Sequence, residues 1–255
     1  MTTQDKLSIY IMELQKTASA YTPFPLIQHI PRLNHYVKGE PADVHELLIA
    51  VINDMSENTT HLFQGRMSST VKCSLCEHIT SRTDNTQEIF IQINKNMNLS
   101  VEDSFHDFFE PEILEGDNAY WYDTCKKKRR ATKTLSITRT PTILILHLKR
   151  LIIREKIQTH TASGTTLDLG PYMTLEPSQP QRTQLPGVIS HHGTNDSGHY
   201  TAITKREENW TLFNGTSDTH IPTQKVLQTQ AYILLYRNPD PIAKPKETEQ
   251  RDRPL

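Results

Sequence analysis

The sequence has few cysteines, no long apolar run and almost no net charge, and each of these shortages excludes a class of protein. Three cysteines among 255 residues are too few for a disulfide framework, so they indicate metal ligands or reduced thiols. No apolar run is long enough to cross a bilayer. A formal charge of -1 argues against a general binder of nucleic acids or membrane surfaces.

The N-terminal residues are polar, and no signal-peptide core follows them. We therefore expect the protein in the cytoplasm and/or the nucleus, with no membrane partner and no nucleic-acid partner. The basic run at residues 126–130 has two interpretations, a nuclear localisation signal or a solvated surface, and the solvated surface is the more common one.

Helical periodicity marks residues 7–20 and residues 44–55, where apolar side chains recur on one face. Asp43, with Glu46 three residues later, predicts an N-cap and a capping box for the second helix. Ser100 and Asp103 predict a similar box before a short helix. The proline-rich, charged stretch 238–255 is typical of a disordered tail.

Several apolar segments in the rest of the chain have the composition of strands. Alternation predicts a strand at 88–94, and a nearly continuous apolar run predicts a buried strand at 142–148. Four more are expected at 187–190, 199–204, 210–213 and 231–236. Because they recur late with turn residues between them, they favour an antiparallel sheet.

Two polar residues on neighbouring predicted strands could form part of a hydrolase site. His199 follows a Gly-rich turn, and Asn214 lies at the end of the next strand. A cysteine hydrolase uses a histidine base whose ring N–H is held by an asparagine carbonyl. From spacing alone, a core histidine and a turn asparagine remain the better interpretation.

Six blocks, in one order, resemble those of the ubiquitin-specific proteases. The first three are Asp43-Val-His-Glu-Leu, then Phe63 and Gly65 followed by Cys73-x-x-Cys76, and Pro111-Glu-Ile-Leu-Glu-Gly-Asp-Asn-Ala-Tyr120. The others are Leu144-Ile-Leu-His-Leu-Lys-Arg150, the His199 and Asn214 segments, and Ala231-Tyr-Ile-Leu-Leu-Tyr236. Together they cover roughly residues 40 to 237, which is most of the chain.

This resemblance implies an α+β fold, the papain-like cysteine protease fold of the ubiquitin-specific protease type. Residues 1–237 would form an N-terminally incomplete catalytic domain: a partial thumb at 1–60, mostly fingers at 61–135 and mostly palm, with an antiparallel sheet, at 136–237. The implied partner is ubiquitin or ubiquitinated proteins. The implied catalytic residues are His199 and Asn214. The implied substrate-binding residues are Asp43, Glu46, His191, Gly198 and Tyr200.

The chain departs from the family at the nucleophile. The family opens with a box that supplies the catalytic cysteine, but nothing in residues 1–42 resembles it and no cysteine precedes Cys73. We therefore expect a domain of the type that hydrolyses the C-terminal isopeptide bonds of ubiquitin, inactive by itself for want of a thiolate. Either the chain is a truncated form of an active deubiquitinase, or it is a pseudoenzyme that binds ubiquitin or acts as a scaffold. An unrelated interaction module is the third interpretation.

Two further departures concern the fingers and the site. The resemblance implies a zinc site at Cys73, Cys76 and Cys125, but its fourth position is Tyr122, and His78 is an awkwardly placed substitute. We expect no metal there and no other cofactor. Gly215 stands after Asn214, where the family usually has an aspartate that supports the site.

Overall fold

The computed structural model describes residues 42–55, 57–123, 126–152, 155–175, 177, 180–195 and 197–239. The helices are α1 Val44–Asp54, α2 Glu57–Thr60, α3 Val101–Phe109 and α4 Thr223–Leu227. The first eight strands are β1 Gly65–Cys73, β2 Ile79–Thr86, β3 Glu88–Gln92, β4 Glu112–Leu114, β5 Tyr120–Tyr122, β6 Lys127–Arg129, β7 Ala131–Arg139 and β8 Ile143–Lys149. The others are β9 Leu151–Ile152, β10 Glu155–Lys156, β11 Thr166–Asp168, β12 Arg182–Gly193, β13 Gly198–Arg206, β14 Asn209–Asn214, β15 Ser217–Ile221 and β16 Ala231–Arg237.

The largest sheet contains all the strands predicted from apolar patterning. Its order is β15-β14-β13-β12-β16-β8-β3, and β11 pairs with the N-terminal end of β12. Most neighbours are antiparallel, as expected, but β3 runs parallel to β8. The connection between them holds α3, β4, β5, β6 and β7, and such a long crossover is what allows a parallel pair.

A second sheet of four strands has the order β2-β1-β7-β4. Its outer strand β2 is almost entirely exposed. Between β4 and β7 in the chain, β5 and β6 form a separate two-stranded ribbon. The basic run contributes β6, whose lysines are exposed. The assignment of these strands to fingers, and of the larger sheet to palm, stays a prediction.

Helices cover the larger sheet on both faces. On one face, α1 packs Val44, Leu48 and Ile52 against Ile145 and Ile233. On the other, α3 buries Val101, Phe105 and Phe109 in the main core. The capping box of α3 is confirmed, because the Ser100 side chain accepts from Asp103 N–H and the Asp103 side chain accepts from Ser100 N–H.

The cap of α1 differs from the predicted box. Asp43 is the N-cap, but its Oδ1 accepts from the N–H of His45 at 2.8 Å, two residues on. Its other carboxylate oxygen accepts from the hydroxyl of Tyr232 at 2.6 Å. A capping carboxylate thus also joins the helix to the sheet across 189 residues of chain.

Arg150 is a buried charge that fixes the end of β8. It is 1% exposed and donates from Nε to the carbonyl of Ala231 at 2.5 Å and from one terminal nitrogen to the carbonyl of Thr159 at 2.7 Å. Burial lowers its pKa to about 10, so the guanidinium stays charged at neutral pH. Arg150 therefore has a structural role, connecting β8, the start of β16 and the loop after β10.

The predicted helix at 7–20 and most of the predicted tail, residues 240–255, lie outside the described residues. Among the helices that the structure describes, none has both the length and the apolarity needed to cross a membrane.

Candidate active site

The hairpin of β12 and β13 divides the predicted site residues between two faces of the sheet. Its register pairs His192 with His199 and His191 with Tyr200. Because side chains alternate along a strand, His192 and His199 lie on one face and His191 and Tyr200 on the other. The faces carry different parts of the site.

On the first face, His199 and Asn214 form a hydrogen-bonded dyad. The Nε2 atom of His199 lies 2.5 Å from Oδ1 of Asn214, and both side chains are exposed. Ala202 pairs with Phe213, so Asn214 is the next residue along β14 and lies diagonally across from His199 on β13. Since the amide oxygen only accepts, Nε2 is the protonated nitrogen, and Nδ1 carries the lone pair that a base needs.

An apolar cleft of about 250 Å³ adjoins this dyad. His192 lies in its wall and bonds Thr201 Oγ1 at 3.0 Å. Burial, and then the charges of Lys156 and His199, lower the pKa of His192, so it is neutral beside the dyad at neutral pH. His192 is therefore a second histidine close to the site, but the described hydrogen bond to Asn214 comes from His199.

The second face holds a channel of about 260 Å³ at the N-terminus of α1. The residues that line it are Ala42, Asp43, Leu151, His191, Asn195, Ser197, Gly198 and Tyr200. It thus brings together four of the five residues predicted to bind substrate. The fifth, Glu46, is exposed on α1 and does not line the channel.

Sequence patterns did not reveal Tyr232, which supports the channel. The pairing of β12 with β16 jumps from Ile189–Ile233 to Ser190–Ala231, so Tyr232 is the extra residue of a β-bulge. Its ring lies 6.0 Å from that of Tyr200 and 6.4 Å from that of His191. Strict alternation would have directed this side chain to the opposite face.

The tyrosines around Asp43 remain protonated over the whole physiological range. Burial, followed by the charge of Asp43, raises the pKa of Tyr200 to about 12, although a backbone hydrogen bond with Val44 acts in the other direction. Burial and the hydrogen bond to Asp43 raise the pKa of Tyr232 further still. The channel thus presents one carboxylate, Asp43, against neutral hydroxyl groups.

Lys156 stabilises the end of β12, where the chain turns into β13. The Nζ atom of Lys156 donates to the carbonyls of His191 at 2.7 Å and Gly193 at 3.0 Å. Gly193 has a φ of 117°, a conformation that other residues rarely adopt. Lys156 is a second residue that sequence reasoning missed, because β10 lies far from the motifs in the chain.

Gly198 occupies a position where a side chain does not fit. A Cβ atom there would collide with Nε2 of His191 and lie 2.5 Å from the carbonyl oxygen of His192. We expect Gly198→Ala to lower the free energy of unfolding by roughly 1–3 kcal/mol through overpacking. Denaturant unfolding measures the loss. Gly116→Ala is the comparison, because open space surrounds Gly116 and an alanine there meets only the strain of a positive φ. An unchanged midpoint for Gly198→Ala would contradict the reported packing.

His191 makes the stability of the channel depend on pH. Burial, followed by the charge of Lys156, lowers the pKa of His191 from its ordinary value of 6.5. The charge of Asp43 raises this pKa, and that of neighbouring His192 lowers it. The native state then binds fewer protons than the unfolded chain, so stability is lost as pH falls from about 6.5 through the lowered value.

We expect His191→Gln to reduce the fall in the free energy of unfolding below that pH. Urea unfolding at a series of pH values measures this slope. His220→Gln is the matched control, because His220 is exposed on β15. An identical slope for wild type and His191→Gln would rule out His191 as a source of the acid sensitivity.

The cysteine turn belongs to the other sheet. Cys73 ends β1 and its N–H donates to the carbonyl of His78 at 2.9 Å, which closes the turn. Cys73 is buried against Tyr122 in a small apolar cluster, whereas Cys76 is exposed. Cys125 lies outside the described residues.

The described part of this turn does not assemble a metal site. Within the ranges that the structure describes, Cys73, Cys76 and His78 do not bring three donor atoms within 4.8 Å of one another. Tyr122, at the implied fourth position, instead packs its ring near His78, with centroids 6.1 Å apart. The expectation that these cysteines hold no zinc, which depends also on Cys125, stays a prediction.

Comparison with known sequences identifies relatives over nearly the whole chain. The family model described as ubiquitin carboxyl-terminal hydrolase matches residues 3–236. Ubiquitin carboxyl-terminal hydrolase 25 of Arabidopsis thaliana is 32% identical over 228 residues, which cover 79% of this chain and 34% of that protein. Ubiquitin carboxyl-terminal hydrolase 36 of Drosophila erecta is 30% identical over 253 residues, covering 89% and 23%. The chain spans about a quarter to a third of the length of these curated relatives.

Solved structures share the fold. The SAGA Ubp8/Sgf11/Sus1/Sgf73 DUB module bound to ubiquitin aldehyde matches with a TM-score of 0.74 and 24% identity, over 84% of this chain and 53% of that one. A variant of this module bound to monoubiquitin matches with a TM-score of 0.73 and 25% identity, over 84% and 52%. The papain-like α+β fold of ubiquitin-specific proteases is therefore confirmed. With the sequence match over residues 3–236, this places the chain in the ubiquitin carboxyl-terminal hydrolase family.

Proposed function

We propose that this chain is the ubiquitin-binding, base-supplying part of a thiol-dependent deubiquitinase. The observation that carries the proposal is the 2.5 Å contact between His199 and Asn214, on the hairpin whose other face lines the channel headed by Asp43. The relatives named above are hydrolases of the ubiquitin carboxyl terminus, and the module of similar fold was solved with ubiquitin bound. A cytoplasmic and/or nuclear location is part of the same proposal.

We assign the channel to an extended peptide that passes the start of β13, where Gly198 lines the channel and His199 follows it in the chain. Tyr200 and His191 line it, and the lack of a side chain at Gly198 lets the His191 ring pack closely against the start of β13. Asp43 supplies a negative charge at the side of the channel, which suits the basic residues of the ubiquitin tail. The tail's terminal carbonyl would then lie beside His199.

The chemistry assigned to the dyad is proton transfer. A cysteine thiol next to Nδ1 of His199 loses its proton to that nitrogen and attacks the carbonyl carbon of the terminal glycine of ubiquitin. The resulting imidazolium protonates the leaving amine, and it then takes a proton from the water that hydrolyses the thioester. Asn214 holds the ring in one orientation through both transfers.

The described cysteines do not take part in this dyad. Cys73 and Cys76 belong to the four-stranded sheet and its turn, whereas His199 and Asn214 belong to the eight-stranded sheet. We therefore propose that the 255-residue chain by itself binds ubiquitin without hydrolysing it. Hydrolysis needs a thiolate other than these two beside His199.

A second candidate function is a pseudoenzyme that only binds ubiquitin. Two observations favour it: Tyr122 packs in an apolar cluster where the zinc-binding relatives would have a ligand, and Gly215 replaces the supporting aspartate. Gly215 has a φ of 59° in the turn between β14 and β15, so its role here is conformational. The intact dyad favours the deubiquitinase.

Reaction with a ubiquitin carrying a C-terminal electrophile tests the proposal, alongside NMR titration with unmodified ubiquitin. We expect binding, with shifts at the C-terminal tail of ubiquitin, and no covalent adduct with the chain. An adduct on any of the three cysteines would overturn the assignment of the nucleophile. Absence of binding by a folded sample would overturn the proposed function itself. Reaction of the same probe with a form of the chain supplied with a family-type N-terminal cysteine box separates the deubiquitinase from the pseudoenzyme.

A further inference from the structure

Three side chains that can ligate a metal meet on the face of the sheet beneath α1, away from the dyad. His45 lies in the first turn of α1, Glu88 begins β3, and His147 lies on β8. The parallel register pairs Glu88 with Ile145 and Phe90 with His147, so Glu88 and His147 are diagonal neighbours on one face. The helix then brings His45 over both of them.

The donor atoms converge closely. The Nε2 atom of His45 lies 2.5 Å from Oε2 of Glu88, and the rings of His45 and His147 are 4.3 Å apart between centroids. One donor atom from each of the three residues lies within 4.8 Å of the other two. Within the described part of the chain, this is the one group of three or more such residues that does so.

His147 provides an independent sign that the cluster is built for a ligand. The residue is 8% exposed, and its Nδ1 atom has no hydrogen-bond partner among the described residues. A buried polar atom without a partner is costly, and native structures seldom keep one without a reason. The aromatic rings of Phe90 and Tyr232 lie 5.1 Å and 4.7 Å from the His147 ring and surround it.

We propose that His45, Glu88 and His147 form a binding site for a divalent transition-metal ion of the zinc class. Two imidazole nitrogens and one carboxylate oxygen are a donor set that zinc accepts, with a fourth position left for water. The side chains of His45 and Glu88 are 17% and 16% exposed, so one side of the cluster opens toward solvent. The fourth ligand and the ion itself enter from there.

A metal ion would compete with protons at this cluster. Burial, followed by the charge of His45, lowers the pKa of His147 to about 4, so its imidazole is neutral and retains a lone pair at neutral pH. The hydrogen bond with Glu88 raises the pKa of His45 despite burial. The metal would displace one proton from the His45–Glu88 pair.

The site would attach the start of α1 to the edge of the sheet. His45 follows Asp43 by two residues, and Tyr232 contacts both the His147 ring and the Asp43 carboxylate. A bound ion would thus hold the N-terminus of the helix, and with it one wall of the channel, in place. This inference does not depend on ubiquitin binding or hydrolysis.

Zinc binding to a variant of the whole chain with Cys73, Cys76 and Cys125 replaced by serine tests the proposal. Removing the thiols leaves the histidine–carboxylate cluster as the site under test. We expect one zinc per chain by calorimetry, and a loss of affinity of about 100-fold or more in His147→Gln and in Glu88→Gln. The control is His106→Gln. His106 lies 2.8 Å from Glu110 on an exposed helix face, and among the described residues no third ligand joins this pair.

X-ray absorption on the unaltered chain loaded with one equivalent of zinc provides a readout that needs no variant. Nitrogen and oxygen neighbours with imidazole scattering are expected, and a shell of sulfur would show that the cysteine turn takes the first ion instead. No zinc binding by the cysteine-free variant overturns the proposal. So does binding that His147→Gln leaves unchanged. If His147→Gln fails to fold, the same comparison is made with Glu88→Gln, whose amide keeps a hydrogen bond to His45.

Discussion

Replacing His199 by alanine is expected to lower ubiquitin hydrolysis, by a form of this chain supplied with a family-type N-terminal cysteine box, on the order of 10⁴-fold or more. The substitution removes the base that contacts Asn214, so the thiol is no longer deprotonated and the leaving amine is no longer protonated. A fluorogenic amide at the C-terminus of ubiquitin measures the rate. Binding of intact ubiquitin to the 255-residue chain should change little.

His220→Ala is the matched control for this experiment. His220 lies on β15 of the same sheet, is exposed, and makes only a 3.4 Å contact with Thr211. Asn214→Ala should have a smaller effect than His199→Ala, because the base remains and only its orientation is lost. Equal rates for wild type and His199→Ala would show that His199 is not the base.

Two substitutions of Asp43 are expected to separate its structural role from its binding role. Asp43→Ala removes the cap of α1 and leaves the Tyr232 hydroxyl without its acceptor. The loss should be about 2 kcal/mol in the free energy of unfolding, from a helix cap and a buried hydrogen bond. Asp43→Asn keeps a carbonyl oxygen for the N–H of His45 and places its NH2 group against the Tyr232 hydroxyl, which can accept from it, so stability should fall less than in Asp43→Ala.

Ubiquitin affinity should fall in both variants, by about tenfold or more, because both lack the carboxylate that faces the basic tail. Urea unfolding and calorimetric titration measure the two quantities on the same samples. Asp107→Asn removes an exposed charge on α3 and should change neither. If Asp43→Asn bound ubiquitin as tightly as wild type, the carboxylate would have no part in recognising the tail.

The sequence by itself determined the elements whose signals are local. The capping box at Ser100 begins α3, alternation in β3 buries Ile89 and Ile91, and the apolar run of β8 lies in the core. Each follows from side chains within one turn or one strand, where spacing alone decides which face is buried. The ordered blocks likewise identified the family before any contact was known.

Only the tertiary structure decided features that depend on residues far apart in the chain. The parallel pairing of β3 with β8 brings Glu88 to His147, and α1 adds His45. The bulge in β16 turns Tyr232 toward Asp43 and the channel, against the period of its strand. Periodicity carries no information about which strands become neighbours or where a register shifts, because those choices come from packing of the whole sheet.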